Sequence, residues 1–226
     1  MSATIAETVA YISAIMPALI KGAEVTLRVF LLTLVFALPL GLPIALGSNS
    51  RLLPIKLFCR AYVWVFRGTP LLLQLFFFFY MLPIWFGFAM DPLPTAVITF
   101  VLNYSAYLAE IYRGGINSID RGQYEAASCL GLGRWQTMFG IILPQTVSRI
   151  LPAVANEMIT LVKDTSLVYV IGVAELMKAS RGAVNRDTDP TAYLVAALIY
   201  LLFTFILTKV ANRVEKRFSR HEARRL

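Results

Sequence analysis

Four stretches of this chain contain no charged residue: Val29 to Ser50, Gly68 to Met90, Pro92 to Ala109 and Pro190 to Thr208. Each can supply the roughly 17–25 residues that a helix needs to cross a hydrocarbon core of about 30 Å. With 226 residues, 58% hydrophobic content and a mean hydropathy of +0.69, the chain is far more apolar than an ordinary soluble domain. It reads as an all-α integral membrane protein. A fifth span, about residues 149–172, carries charges and needs its own argument. The first apolar stretch is too long for a signal-peptide core and no cleavage pattern follows it, so that span is expected to stay in the mature protein.

Charge placement sets the expected topology. Of the 21 Lys and Arg residues, seven lie between Lys209 and Arg225, directly after the last span. The positive-inside rule makes that tail cytoplasmic and able to touch anionic lipid. It also explains the net charge of +8 without a nucleic-acid partner. Arg51, Lys56 and Arg60 mark the first loop as cytoplasmic, which leaves the N-terminus outside. The loop around Trp85, Phe86 and Asp91 is expected outside, as is the mixed-charge stretch from Gly172 to Asp189, which predicts a short external helix. Residues 1–21 place Ile5, Val9, Ile12, Ile15 and Leu19 at helical spacing, predicting an amphipathic surface helix that Gly22 breaks. Spans follow at about 24–46, 61–82, 93–113, 149–172 and 190–209 within a domain of residues 22–212, before a basic tail of 213–226. Pro39, Pro43, Gly41 and Gly47 predict a kinked first span with close small-residue packing. Thr69 is expected to cap a helix beginning at Pro70. Cys59 and Cys129 sit on segments near the cytoplasm, so neither a disulfide nor a metal site is expected.

A polar island between the third and fourth spans predicts a helical hairpin outside the membrane. Glu125 to Leu130 is helix-forming, Gly131 and Gly133 permit a sharp turn, and a second helix is expected to run to Ile142 and stop at Pro144. The spacing Glu125-Ala126-Ala127, three residues, Gly131, nine residues, Ile141-Ile142-Leu143-Pro144 resembles the cytoplasmic loop of permease subunits of ATP-binding-cassette importers. Two further strings, Phe66 to Phe77 and Ser105 to Gly115, resemble the polar-amino-acid uptake subfamily. The resemblance covers about residues 20–215. It implies the five-span transmembrane domain of a type I importer. It also implies an ATPase-coupling role for Glu125, Ala126, Ala127, Gly131, Leu143 and Pro144.

The fourth span is chemically unusual, running from Leu151 through Asn156-Glu157, Thr160 and Lys163-Asp164-Thr165-Ser166 to Val168. Charges at membrane depth cost on the order of 2.5–3.5 kcal/mol each on insertion scales, so they tend to mark a bundle interior or a watery pathway. Glu157, Thr160 and Asp164 fall at i, i+3 and i+7, on one helical face. Lys163 and its neighbour Asp164 cannot point the same way, and Lys163 can instead reach another subunit or the interface. Asp164, Thr165 and Ser166 could instead cap a broken helix, and Glu157 could pair with Arg149 or Lys163. The string also looks like the subfamily's pore-lining helix, which makes Asn156, Glu157, Thr160, Asp164, Thr165 and Ser166 candidate pathway residues. Gln74, an amide in a wall of Leu and Phe, is a further candidate, with helix packing as its alternative.

No G-x-x-x-x-G-K-[ST] string occurs, so this chain cannot cradle nucleotide phosphates by that route. One histidine, His221, and the lack of H-E-x-x-H or G-x-S-x-G leave a hydrolase unsupported. The chain itself is therefore expected to be neither an enzyme nor a cofactor carrier. The resemblance implies that ATP is hydrolysed by a partner ATPase pair. It also implies that a second permease, identical or paralogous, completes the pathway in a bacterial inner membrane, and that an extracytoplasmic amino-acid-binding protein delivers substrate. Two rivals are a secondary transporter using Glu157 and Asp164 for protons or cations, and a membrane-embedded assembly factor. The first is disfavoured by five spans without an inverted repeat.

Overall fold

The computed structural model describes residues 5–88 and 90–222, and every regular element among them is helical. Helix α1, Ile5–Ser48, runs 44 residues without interruption. The break expected at Gly22 is absent, and the glycine serves a different purpose. A Cβ there would stand 2.9 Å from the Leu176 Cα and 3.0 Å from the Ala179 Cβ. Gly22 thus permits a close helix approach, and the contacts it allows outweigh its poor helix propensity. Ile15 and Leu19, expected on a membrane-surface helix, are instead buried with Ala23, Leu176, Ala183, Ala192 and Val195.

The expected second span is two helices. Helix α2, Leu53–Gly68, and helix α3, Leu71–Phe86, are bent by 106° at their junction. Pro70 has no N–H and disfavours helical geometry at Thr69. The helix therefore starts at Leu71 after an extended Pro70 (ψ 132°). The Thr69 hydroxyl accepts a 2.8 Å hydrogen bond from Gln74 Nε2, which also donates to the Thr69 carbonyl at 3.1 Å.

Helix α4, Pro92–Asn117, has 26 residues. Its polar side chains at Thr95, Thr99, Asn103 and Ser105 are all buried. Helix α5 covers Arg121–Cys129. Helix α6 then runs from Arg134 to Ile171, widening into a π-turn at Met138–Ile142 and tightening into a 3₁₀ turn at Thr165–Ile171. The expected stop at Pro144 is thus overturned. The widened turn just before the proline spaces out the backbone its ring would otherwise strike. Helix α7, Leu176–Asp187, matches the short helix expected there, and α8 is Thr191–Glu222.

Among the described residues, three helices (α1, α6 and α8) are long and apolar enough to cross a membrane, or four if the bent α2–α3 pair is one span. The sequence expected five. Helix α4 has the length, but its inward-facing threonines, Asn103 and Ser105 dilute its apolar content.

The chain divides into two compact units. The first comprises Met1–Val35, Thr69–Val101 and Ile159–Leu207; the second comprises Phe36–Gly68, Leu102–Met158 and Thr208–Leu226. The first holds the Ile15–Leu19–Leu176 core. In the second, Ala45, Val63 and Ala109 pack with Tyr62 and Tyr112. Gly41 lets α1 approach α4 there, since a Cβ would stand 3.0 Å from that of Leu108. The Tyr112 hydroxyl donates to the Leu38 carbonyl at 3.2 Å, and the Tyr62 hydroxyl to the Leu102 carbonyl at 2.6 Å.

Candidate functional site

The polar island folds as a helical hairpin. Asp120 caps α5 by accepting from the Gly122 N–H at 2.7 Å. At the other end, the Leu132 N–H reaches the Ala127 carbonyl at 3.0 Å and the Gly131 N–H the Ser128 carbonyl at 3.0 Å. This is the two-bond Schellman closure, and it puts Gly131 at φ +71°, a left-handed geometry that costs a Cβ-bearing residue. Gly133 starts α6, where Gln136 Oε1 accepts its N–H at 2.8 Å.

The hairpin presents one face and buries another. Glu125 and Ala126 are exposed, whereas Ala127 is buried. Leu130 (77% exposed), Trp135 (71%) and Phe139 (53%) form an apolar knuckle, with the Trp135 and Phe139 rings stacked at 5.7 Å. Sequence reasoning missed these three. Large apolar residues in a segment placed outside the membrane are the signal that could have found them. Behind the knuckle, Gln145 Nε2 donates to Gln123 Oε1 at 3.0 Å, and Tyr124 and Leu143 pack on buried Ile116, Ile119 and Ile142. Arg149 donates to the Ser118 carbonyl and, at 3.3 Å, to its hydroxyl. The hairpin is therefore braced on the end of α4 and the start of α6, all within the second unit. Pro144 is exposed on the first turns after the π-bulge.

The candidate pathway residues separate by environment. Asn156 and Thr160 are exposed, Glu157, Asp164 and Ser166 are half-buried, and Gln74 and Thr165 are buried. The open edge of α6 follows Arg149, Ala153, Asn156, Thr160 and Lys163, whereas Asp164 is half-buried. Within the first unit, Lys163 and Ser166 line a cleft of about 510 Å³ with Tyr193, Tyr200 and Thr204 of α8. The Thr165 hydroxyl is turned back to the Val162 carbonyl at 2.7 Å. Gln74 directs its amide nitrogen at Thr69, as described above.

A carboxylate outside the expected set lies near that cleft. Glu175, with no exposed surface, caps α7 by accepting from the Met177 and Lys178 N–H groups, both at 2.7 Å. It also accepts from the Tyr200 hydroxyl at 2.8 Å and from Thr26 at 3.5 Å. Burial pushes its carboxyl up from the ordinary range, and these four donors pull it partly back. It sits on the segment between spans, joining α1, α7 and α8.

Comparison with known proteins places this architecture. L-cystine transport system permease protein TcyB of Bacillus subtilis (strain 168) is 40% identical over 210 residues, spanning 92% of this chain and 89% of that protein. Arginine transport system permease protein ArtQ of the same organism is 37% identical, spanning 91% and 94%. A solved structure described as an amino acid ABC transporter with histidines superposes with a TM-score of 0.86 at 35% identity, covering 96% of this chain and all (100%) of that one. The MetNI methionine ABC transporter, at 17% identity and a TM-score of 0.75, shares the fold. A family profile described as "binding-protein-dependent transport system inner membrane component" matches residues 37–220, a stretch that includes the hairpin, its braces on α4 and α6, and the whole polar helix. This chain belongs to that family of inner-membrane transport components.

Proposed function

We propose that the chain is a pathway-forming permease subunit of an ATP-driven importer of a polar amino acid. The named substrates of the similar permeases, cystine and arginine, support the amino-acid class. The observation that carries the reading is the braced hairpin with its exposed apolar knuckle. Such a surface outside a membrane calls for a protein partner. In this reading the partner is one of a pair of ATPase subunits, which supplies the nucleotide chemistry this sequence lacks. A second permease and an extracytoplasmic binding protein complete the assembly. The chain crosses the inner membrane several times, with its N-terminus outside and its C-terminus in the cytoplasm.

Glu125, Ala126 and Gly131 shape the docking turn, while Ala127, Leu143 and Pro144 join it to the spans. Closure of the ATPase pair displaces α5. The Gln123–Gln145 and Arg149–Ser118 bonds and the Ile116–Ile119–Ile142 cluster pass that displacement to α4 and α6 as one body. Alternating access follows if α6 then presents its polar edge to either side. Asn156 and Thr160 meet the substrate on that edge, with the half-buried Glu157, Asp164 and Ser166 beside it. Gln74 and Thr165, both buried and bonded back to the backbone, hold the helix breaks that position it.

The test is Trp135→Ser with Phe139→Ser in the full complex. Both side chains are exposed, so insertion and abundance are expected to be unchanged while ATPase co-purification and uptake fall to background. Normal uptake by a correctly inserted double variant would refute the lever assignment.

A further inference from the structure

We propose that the cleft lined by α2 and α4 in the second unit is a headgroup site for an anionic phospholipid. Arg60, Trp64 and Arg67 recur at spacings of four and three on α2 and so share one face. Together with Ser48, Tyr107, Glu110 and Arg113 they line a cleft of about 580 Å³. Three guanidinium groups meet one carboxylate among these described lining residues. That carboxylate is already engaged, because Glu110 accepts a 2.9 Å bond from Arg113 Nε and a second from its Nη2. Glu110 also lies within electrostatic reach of Arg67 and Arg60, but one carboxylate against three guanidinium groups leaves the cleft lining net positive. Arg67 is held over the Tyr107 ring at 5.3 Å, which fixes its plane without neutralising it.

Two further features select a lipid over a soluble anion. The same helix exposes Leu57 (58%), Phe58 (74%), Trp64 (77%) and Val65 (46%) along its flank. Helix α2 thus joins a cationic cleft to an apolar surface on which acyl chains can lie, with a tryptophan of the kind enriched at membrane interfaces. A guanidinium fork binds phosphate oxygens bidentately, and basic pockets between membrane helices on the cytoplasmic side suit anionic headgroups. A zwitterionic headgroup would bring its own cation into a net positive cleft whose one carboxylate, Glu110, is already bound by Arg113. The site is distinct from the hairpin and from the polar edge of α6.

The inference rests on the orientation proposed above, which puts the 51–60 loop on the cytoplasmic side. Its test avoids that dependence, because both leaflets of a nanodisc have the same composition. The assembled transporter is reconstituted in phosphatidylcholine with or without phosphatidylglycerol, and retained lipid is counted by native mass spectrometry. Preferential retention of phosphatidylglycerol is expected. Losing two cationic contacts through Arg60→Gln with Arg67→Gln should weaken it about thirty-fold. Arg60→Lys with Arg67→Lys should retain most of the preference, and Arg213→Gln with Lys216→Gln in the tail, whose basic residues can also touch anionic lipid, should reduce it less than the α2 pair does. Equal retention of the two lipids by the unaltered protein, or loss caused by the tail variant alone, overturns the proposal. Displacement of the lipid by millimolar inorganic phosphate would instead identify a soluble-phosphate site and overturn the lipid assignment.

Discussion

A carboxylate with no exposed surface is tolerated only when donors surround it, and Glu175 has four. Glu175→Ala would strip the partner from two backbone N–H groups and two hydroxyls. Unsatisfied buried donors cost about 1–3 kcal/mol each, and partial relaxation should bring the total to roughly 3–5 kcal/mol, read as a lower thermal midpoint in detergent. The pH dependence carries a definite sign. Because folding raises this carboxyl's pKa, the stability it contributes is fully present below the unfolded carboxylate value of about 4.3. That contribution is lost as pH rises through the folded value. The unaltered protein should therefore gain stability on acidification across that window, and Glu175→Gln should flatten the response; an identical slope in the variant would refute the linkage. Gly22 offers a second test at this scale. A Cβ there meets backbone rather than a flexible side-chain tip, so Gly22→Val should cost about 1–3 kcal/mol by overpacking, whereas Gly68→Val, with open space around it, should cost no comparable overpacking.

Among the elements, the hairpin was the most legible from sequence. A polar island between apolar runs, with glycine at the turn, permits few alternatives, and Gly131 at φ +71° closes it as read. Replacing that glycine tests the closure: Gly131→Val should cost on the order of 1–3 kcal/mol locally and reduce coupled ATPase activity, while Gly131→Asn, which tolerates the left-handed region, should restore most of it. Equal activity of the two variants would show that backbone geometry at the turn is immaterial. The helix ends were less legible. Gly22 and Pro144 are ordinary stop signals, yet both lie inside continuous helices. Gly22 is overridden by packing against residues more than 150 positions away in the chain, and Pro144 by a π-turn that no local propensity announces. Pro70 did break its helix, because the chain turns there by 106°. On α6, the period puts Glu157, Thr160 and Asp164 on one face. The open edge follows Asn156, Thr160 and Lys163 instead, since what covers a face is decided by neighbours that the period does not contain. Glu175 was illegible for the same reason: Thr26 and Tyr200 reach it from distant parts of the sequence.

At the scale of the whole molecule, the basic tail and the Arg51–Arg60 loop require one orientation, and the three basic residues of the Gly172–Asp189 stretch weigh against it. The proposed function would decide between them: a knuckle that docks an ATPase can do so only where ATP is present, which would put α5 in the cytoplasm. Cys129 supplies the probe, being an exposed free thiol on that helix, while Cys59 is partly covered and can be changed to serine. After removal of the peripheral ATPase, a membrane-impermeant maleimide should label Cys129 in inside-out vesicles and leave it unlabelled in intact spheroplasts. Labelling should fall when the ATPase is added back, because the docked partner covers the same hairpin. Labelling from the outer face would invert every span and remove the knuckle from the ATPase. Labelling from the inner face that the ATPase does not protect would preserve the topology but move the docking surface away from α5.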